Sequence, residues 1–402
     1  MSDYKIDEIM AIKKDSPYVT KSKPLMVKPR LSESYFGMRS RIRKIIVGDG
    51  IVAIGENAFE NCKALCEIEI SDGVIAIGNE AFSGCSGLKS IVIPKYVSAI
   101  GLKTFKGCTG LASIDMPENL TEIDEWAFDG CAVLSSIGIP RSVTKIGKWA
   151  FAGTGITSAI IPEGVKIIND STFRGCMGLK SVVIPASVTT IGDDVFKGCT
   201  ALSNVTIMNP DAEVSWGISS FMARMSRRPK TRLTISPDAF NDCTGLKTPI
   251  IAGHNLLFHR NAVGDYVIPE DIKVICRDAF SNSTGLSSVT IPNSVTEICN
   301  GAFSNSGVEA LFLEEGITKI WHSAFECMYN LVSVTLPDSV TEIGQSAFAR
   351  CSSLANVTIP LGVNFIDQHA FDYCENLKTA MVPRTTTYGS TVFPPNCKVI
   401  KY

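Results

Sequence analysis

The 402-residue chain lacks several features that mark common functional classes. It contains no run of 18 or more apolar residues, so we expect no transmembrane segment. Its first eight residues include three acidic side chains and no apolar run follows them, which argues against a secretory signal at this end. The formal net charge is only -2, so the chain as a whole is not expected to attract nucleic acid or an anionic membrane.

Histidines are scarce, and no motif brings catalytic residue types together. The four histidines lie at positions 254, 259, 322 and 369, and no nucleophile elbow, P-loop or dinucleotide fingerprint occurs. Cys62 and Cys66 are four residues apart but have no second pair, so they do not predict a zinc site. The sequence therefore predicts no catalytic residues, no metal ion and no cofactor, and we expect a protein that is not an enzyme.

Phenylalanine, by contrast, recurs with a period of 22 or 23 residues along most of the chain. The composition, 45% hydrophobic and 19% charged, provides ample material for a core. Two longer gaps of 44 and 40 residues correspond to double-length steps. The repeating phenylalanines are at positions 59, 82, 105, 128, 151, 173, 196, 240, 280, 303, 325, 348 and 371. Such a period indicates stacked units that share one core.

Each unit follows the pattern L-x-x-I-x-I-P-x-x-V-x-x-I-G-x-x-A-F-x-x-C, as residues 88–108 show. The alternation at its start predicts a short strand with one buried face. Proline has no amide hydrogen to donate to a ladder, so Pro94 and its equivalents end that strand. The I-G pair predicts a second extended segment, and the A-F pair predicts a tight helical turn. We therefore expect a repeat solenoid, mostly β with short helical turns, whose strands stack into a parallel sheet.

The I-P, I-G, A-F and C-x-x-L spacing resembles the BspA-like (Treponema-type) class of leucine-rich repeats over roughly residues 42 to 383. The resemblance implies a curved, right-handed leucine-rich-repeat coil with its parallel sheet on the concave face, used as a binding surface. It also implies a secreted or cell-surface microbial protein, such as an adhesin or host-contact protein. Because no export signal is visible in the chain, its location stays open.

Nine of the fourteen cysteines lie three residues after a repeat phenylalanine and form a column of equivalent positions, with Thr154, Ser283, Ser306 and Met328 where the column is interrupted. Parallel Cβ directions within such a column disfavour disulfides, so we interpret these cysteines as small buried fillers. So many unpaired thiols hint at a reducing or anaerobic setting.

The period also predicts the domain boundaries. Residues 1–41 precede the first repeat strand and would form an N-terminal cap or tail, residues 42–383 the solenoid, and residues 384–402 a C-terminal cap. Insertions interrupt the repeats near 208–236 and 252–268. We interpret the second insertion as a hairpin, with strands on either side of a glycine-containing turn at 261–265.

The second and fourth residues after each leucine should point outward from the sheet and form a face that is rich in hydroxyl groups and poor in charge. That composition either reflects β-propensity alone or surrounds an apolar interaction site. Ile250 could belong to this face or be covered by an insertion. The candidate partner-binding residues, from this face and the first insertion, are Val92, Ile160, Val183, Phe312, Trp216, Phe221, Arg224, Arg227 and Arg228.

Three functional hypotheses follow. The first is a non-catalytic protein-binding solenoid, by resemblance a microbial adhesin that contacts a host or extracellular-matrix protein. The second is an intracellular interaction scaffold, favoured by the absent signal and the free thiols. The third is a glycan-binding surface protein, weakened because Phe312 is the lone aromatic on the outward face. Nucleic acid is not an expected partner, since the face offers few lysines and arginines.

Overall fold

The computed structural model of the chain describes residues 26–27, 41–208, 213–216, 232–236 and 238–402. These residues fall into two units. The first comprises the described residues of Met1–Met208 together with Leu233–Gly245, and the second those of Asn209–Arg232 together with Leu246–Tyr402. Both are built from short strands joined by turns, and none of the described residues lies in a helix.

The strands of the first unit, with the last one starting at its boundary, are β1 Met26–Val27, β2 Lys44–Val47, β3 Ala53–Ile54, β4 Glu67–Ile70, β5 Ala76–Ile77, β6 Ser90–Val92, β7 Ala99–Ile100, β8 Ser113–Asp115, β9 Glu122–Ile123, β10 Lys145–Ile146, β11 Ser158–Ile160, β12 Ile167–Ile168, β13 Ser181–Ile184, β14 Thr190–Ile191, β15 Asn204–Ile207 and β17 Arg232–Ile235.

The strands of the second unit are β16 Glu213–Trp216, β18 Ile250–Ala252, β19 Asn255–Phe258, β20 Gly264–Val267, β21 Val274–Ile275, β22 Leu286–Ile291, β23 Glu297–Ile298, β24 Ala310–Leu313, β25 Lys319–Ile320, β26 Ser333–Val334, β27 Glu342–Ile343, β28 Asn356–Thr358, β29 Phe365–Ile366, β30 Thr379–Val382, β31 Thr387–Tyr388 and β32 Lys398–Lys401.

In each unit the strands form two walls of parallel sheet. The first wall contains the strands that precede the repeat proline, such as β11, β13 and β15, and the second wall contains the two-residue strands of the I-G pair. Equivalent residues of successive coils are direct neighbours, as in Ser181 beside Asn204 and Ile184 beside Ile207. The repeat period therefore sets the register, and the parallel sheet expected from the sequence is confirmed.

The short helical turns predicted after the I-G pair are wrong, because these segments are runs of separate turns without a continuous ladder of helical hydrogen bonds. The amide of Cys62 donates to the carbonyl of Phe59 at 3.1 Å, within the coil, whereas the amide of Phe59 donates to Ala81 of the next coil at 2.8 Å. Asn57 and Asn61 have positive φ angles of 56° and 59°. A helix would direct every amide three or four residues back and keep φ negative, whereas here every second amide donates to the neighbouring coil.

The repeat phenylalanines form the centre of each core. In the first unit eight rings stack in sequence from Phe59 to Phe240, with centroids 5.2–5.6 Å apart. In the second unit six rings stack from Phe280 to Phe393, and their centroids are 4.7–5.4 Å apart. Each buried ring contributes roughly 1.5–3 kcal/mol, as do the buried leucine, isoleucine and valine side chains packed around the stack.

The segment near 252–268, predicted to be an inserted hairpin, is instead a shortened coil of the second unit. A hairpin is present, but it joins β18 to β19 around Gly253. Strand β20, which the sequence assigned to that hairpin, pairs in parallel with β22 on the first wall, with Tyr266 beside Val289. His259 takes the place of the repeat phenylalanine, and its ring contacts Phe280 at a centroid distance of 5.6 Å.

Candidate interaction face

The first wall directs alternate side chains outward, as the sequence pattern requires. In β6, Ser90 and Val92 are exposed and Ile91 between them is buried. The same alternation places Ser158 and Ile160 on the outside of β11, with Ala159 inside. Because side chains alternate across a strand, the outward residues of successive coils form two columns on one face. We call this face the outer face of the first wall.

The first unit brings two of the candidate residues together. Ile160 is 70% exposed, and its neighbour in the adjacent strand is Val183, which is half-buried. Hydroxyl-bearing Ser158 and Ser181 lie beside them, and Thr206 follows Val183 in the same column. The pair is therefore a small apolar patch with a polar rim, which is a composition typical of interaction sites.

Val92 is also exposed, but it does not join this patch. Its neighbour on the next strand is Asp115, and the equivalent position one coil further is Gly138. Residues 135–139 do not form a strand, so the first-wall sheet is interrupted between β8 and β11. Within the first unit, Val92 is therefore separate from the Ile160–Val183 pair.

The second unit presents Phe312, whose side chain is 58% exposed, beside Thr290 of the preceding strand. A groove of about 290 Å³ lies next to its ring and is lined by Ala310, Ser333 and Thr335, among others. The groove exists because the small Ala310 and Ser333 side chains leave space next to the large ring.

Sequence analysis missed Val267, which is exposed on the same face and adjoins Thr290. The signal was present, since Tyr266-Val267-Ile268-Pro269 matches the I-x-I-P of the repeat, but the segment was assigned to a hairpin instead. Of the two positions that the sequence allows for Ile250, the structure shows the covered one, since Ile250 is buried where β18 pairs with β19.

The first insertion contributes little to the described surface. The backbone of Trp216 ends strand β16. Phe221, Arg224, Arg227 and Arg228 lie outside the described residues, as does the side chain of Trp216.

Charge on the outer face is concentrated at the start of the first unit. The ammonium of Lys44 is 2.7 Å from a carboxylate oxygen of Glu67 and 2.6 Å from one of Glu69. The hydrogen bonds to these two carboxylates raise the pKa of Lys44. From β11 to β15 the outward side chains are hydroxyl, amide or aliphatic, so the apolar pair lies in an uncharged setting.

The cysteine column lies in the core and does not assemble a reactive site. No disulfide bond joins any of the fourteen cysteines, all of which lie in the described part of the chain. The thiol of Cys108 donates to the carbonyl of Phe82 at 3.1 Å, and the thiol of Cys131 donates to Phe105 at 3.2 Å, so the column repeats one hydrogen bond to the preceding coil. Burial raises the pKa of Cys131 to about 12. No cluster of three or more potential metal ligands occurs among the residues that the structure describes.

The described part of the chain also contains no helix with the length and apolar character that crossing a bilayer requires.

These features define a β-solenoid of repeated coils with one regular outward face. The chain matches the family described as "BspA type Leucine rich repeat region (6 copies)" over residues 30–157, 99–223 and 253–378. The matched residues are more than half of the chain, and the chain therefore belongs to the BspA-type leucine-rich repeat family. No curated protein sequence matches it.

Several solved bacterial proteins are similar. A leucine-rich repeat protein from Bacteroides ovatus is 24% identical, with a TM-score of 0.60, over 96% of this chain and 97% of that chain. A leucine rich cell surface protein from Faecalibacterium prausnitzii is 24% identical, with a TM-score of 0.34, over 90% of this chain and 79% of that chain. The T. pallidum leucine-rich repeat protein is 26% identical, with a TM-score of 0.36, over 50% of this chain and 77% of that chain. The first likeness supports the fold.

Proposed function

We propose that the chain is a non-catalytic protein-binding solenoid and that the Ile160–Val183 patch on the outer face of the first wall contacts the partner. The observation that carries this proposal is the large exposed area of Ile160 directly beside Val183, within a rim of serine and threonine. Ile160 lies on β11, the edge strand of the sheet β11-β13-β15, and is 70% exposed, so a partner that covers this aliphatic side chain stabilises the complex. Family membership supports the same general role, since leucine-rich repeats commonly serve as interaction surfaces.

The chemistry of this patch favours a protein partner over nucleic acid. No lysine or arginine points outward from β11, β13 or β15, whereas phosphate backbones require such groups. The patch therefore suits a partner with a small apolar protrusion whose polar margin hydrogen-bonds to hydroxyl groups.

By family resemblance, we propose that the partner is a host or extracellular-matrix protein and that the chain acts at a microbial cell surface as an adhesin. Biotinylation of intact producing cells with a membrane-impermeant reagent tests this location. Labelling of the chain, without labelling of a cytosolic control protein, is the expected result, and labelling that requires cell lysis contradicts it.

The fourteen cysteines, none of which is in a disulfide bond, favour a second candidate, an intracellular interaction scaffold. Free thiols persist most readily in a reducing compartment. The same biotinylation separates the two roles, because an intracellular scaffold is labelled after lysis alone.

The binding proposal is tested with the variants Ile160→Asp and Ile167→Asp. A partner is first isolated from the native environment, and the affinity of each variant for that partner is then measured. Ile167 is 48% exposed on the second wall of the same unit, so it receives the same substitution without touching the patch. We expect Ile160→Asp to weaken binding at least tenfold and Ile167→Asp to leave it within twofold. Equal effects of the two variants, at unchanged melting temperature, contradict the assignment of the patch.

We also propose a contribution from Trp216, Phe221, Arg224, Arg227 and Arg228 of the first insertion. Replacing all five with serine and repeating the affinity measurement tests it. Unchanged affinity in a folded variant removes the insertion from the interface.

A further inference from the structure

A slot opens on the second wall of the second unit, away from the outer face of the first wall. Strands β25, β27 and β29 place Lys319, Glu342 and Phe365 side by side. The slot has a volume of about 290 Å³ and is bounded by Trp321 and Asp367. Gly344 lies between these two residues on the neighbouring coils, and a Cβ there would come within 2.8 Å of the backbone of Trp321 and His322, so close packing of the coils requires glycine at this position.

One cation of the chain already lies in this slot. The ammonium of Lys319 is 2.7 Å from a carboxylate oxygen of Glu342 and 4.0 Å from the centroid of the Trp321 ring. Along this column of the second wall the side-chain charge alternates in sign, with Glu297 beside Lys319 and Lys319 beside Glu342. The next position in the column would continue the alternation with a cation, but it holds Phe365.

Phe365 is 47% exposed, and no cation of the described residues lies over its ring. Asp367 is two residues further along the chain. Its carboxylate accepts a hydrogen bond from the amide of Gln368 at 2.7 Å and makes no ion pair with any described residue. An aromatic ring and two carboxylates thus surround a space that is open to solvent.

The first unit contains a similar set of aromatic rings and carboxylates in which the chain itself supplies the cations. Trp126 and Trp149 stack with centroids 4.9 Å apart. Lys106 lies 4.0 Å from the Trp126 centroid, and Arg174 lies 5.2 Å from that of Trp149, so a cation covers each outer ring face. Each cation also pairs with an aspartate, as Lys106 does with Asp129 at 3.1 Å.

We propose that the slot binds the guanidinium of an arginine side chain supplied by a partner protein. The guanidinium stacks on Phe365 and donates hydrogen bonds to the carboxylates of Glu342 and Asp367. Two carboxylates, those of Glu342 and Asp367, line the slot against the single ammonium of Lys319, so its charge is complementary to a cation. Arginine fits better than lysine because its planar fork can stack on a ring and reach two carboxylates at once.

The probe is the peptide acetyl-Gly-Arg-Gly-amide, titrated into the isotope-labelled full chain and followed by amide NMR. The matched control replaces arginine with citrulline, which keeps the shape and removes the charge. We expect saturable shifts confined to residues 319–322, 342–345 and 365–368. The citrulline peptide should bind at least fivefold more weakly, and added salt should weaken the binding of the arginine peptide. Equal binding of the two peptides, or no shift at the slot, overturns the proposal.

Three variants link the binding to the slot. Phe365→Leu and Asp367→Asn are each expected to lower the affinity for the arginine peptide at least fivefold. Tyr373→Leu is the control, since Tyr373 is an exposed aromatic of the same unit that already has Arg350 5.5 Å from its ring centroid. Unchanged affinity in Asp367→Asn, a surface change that leaves the core intact, contradicts the proposal. So do equal shifts from methyl β-glucopyranoside, which would assign the slot to sugars.

Discussion

Two residues of most coils adopt left-handed backbone conformations, and they lie four positions apart. Trp126 and Gly130 are one such pair, with φ angles of 60° and 75°. A left-handed conformation is costly for tryptophan, but the stack with Trp149 and the cation of Lys106 offset that cost. At the second position the first unit uses glycine in six consecutive coils, from Gly84 to Gly198.

The glycine column yields a stability prediction. A Cβ added at Gly130 would lie 3.8 Å from the Cα of Gly107, an ordinary contact, so the cost of Gly130→Ala comes from the backbone alone. We expect a loss of about 1–2 kcal/mol. Gly138→Ala is the control, because Gly138 has nothing within 4 Å and its φ is not positive. Thermal unfolding of both variants measures the difference, and an equal melting temperature contradicts the strain argument.

The thiols yield a reactivity prediction. Burial raises the pKa of Cys131 and of Cys243 to about 12, so at pH 8 they are protonated as well as inaccessible. Cys66 is exposed. Iodoacetamide treatment of the folded chain at pH 8, read by mass spectrometry, should modify Cys66 and leave the column unmodified. Modification of Cys131 at a comparable rate would show that the core opens.

At the scale of elements, the coil of residues 254–268 departs most from the repeat. His259 replaces phenylalanine in the core and is 3% exposed, and its Nδ1 atom has no hydrogen-bond partner among the described residues. Its ring lies 4.6 Å from that of Tyr266, edge to face. Burial lowers the pKa of His259 to about 4, because the charged imidazolium is poorly solvated there.

This histidine makes the fold sensitive to acid. Since the folded pKa of about 4 lies below the usual 6.5, the unfolded chain binds more protons as pH falls between these values. Stability is therefore full above pH 6.5 and is lost towards pH 4, by up to about 3 kcal/mol. We expect His259→Phe to reduce the drop in melting temperature between pH 7 and pH 4.5. His322→Phe, at an exposed histidine, should keep the whole drop.

The same coil shows where sequence reasoning stops. The regular columns predicted the parallel walls, the buried cysteines and the outward position of Ile160, because a period of 23 residues sets all three. The coil around His259 is too short to keep that period, so Tyr266 was assigned to a hairpin and the exposed Val267 was missed. Pairing between neighbouring coils, which only the folded chain reveals, identifies both residues as part of a repeat.

The turn segments and the second wall were less predictable still. An A-F pair within polar residues fits a helical turn as well as a run of turns flanked by two left-handed residues, and the choice depends on amides that pair with the next coil. Likewise, Trp321, Glu342 and Phe365 are far apart in the chain. Their proximity follows from stacking, and their chemistry belongs to no motif.

At the scale of the whole molecule, each unit uses its large apolar side chains to join one coil to the next, and the outward residues are left for contact with partners. Two separate surfaces follow from this arrangement. One is the uncharged patch at Ile160 and Val183 on the first wall, and the other is the acidic, aromatic slot at Phe365 on the second wall.

In this account, buried side chains hold the coils together while outward ones bind partners. An aspartate scan of residues 156–178, with melting temperature and partner affinity measured for every variant, tests this claim most directly. Aspartate at buried positions such as Ile168 and Phe173 should prevent the chain from folding. Ile167 should tolerate aspartate with unchanged affinity, and Ile160→Asp should fold normally and bind at least tenfold more weakly. A stable Phe173→Asp variant, or a folded Ile160→Asp variant with full affinity, would contradict the account.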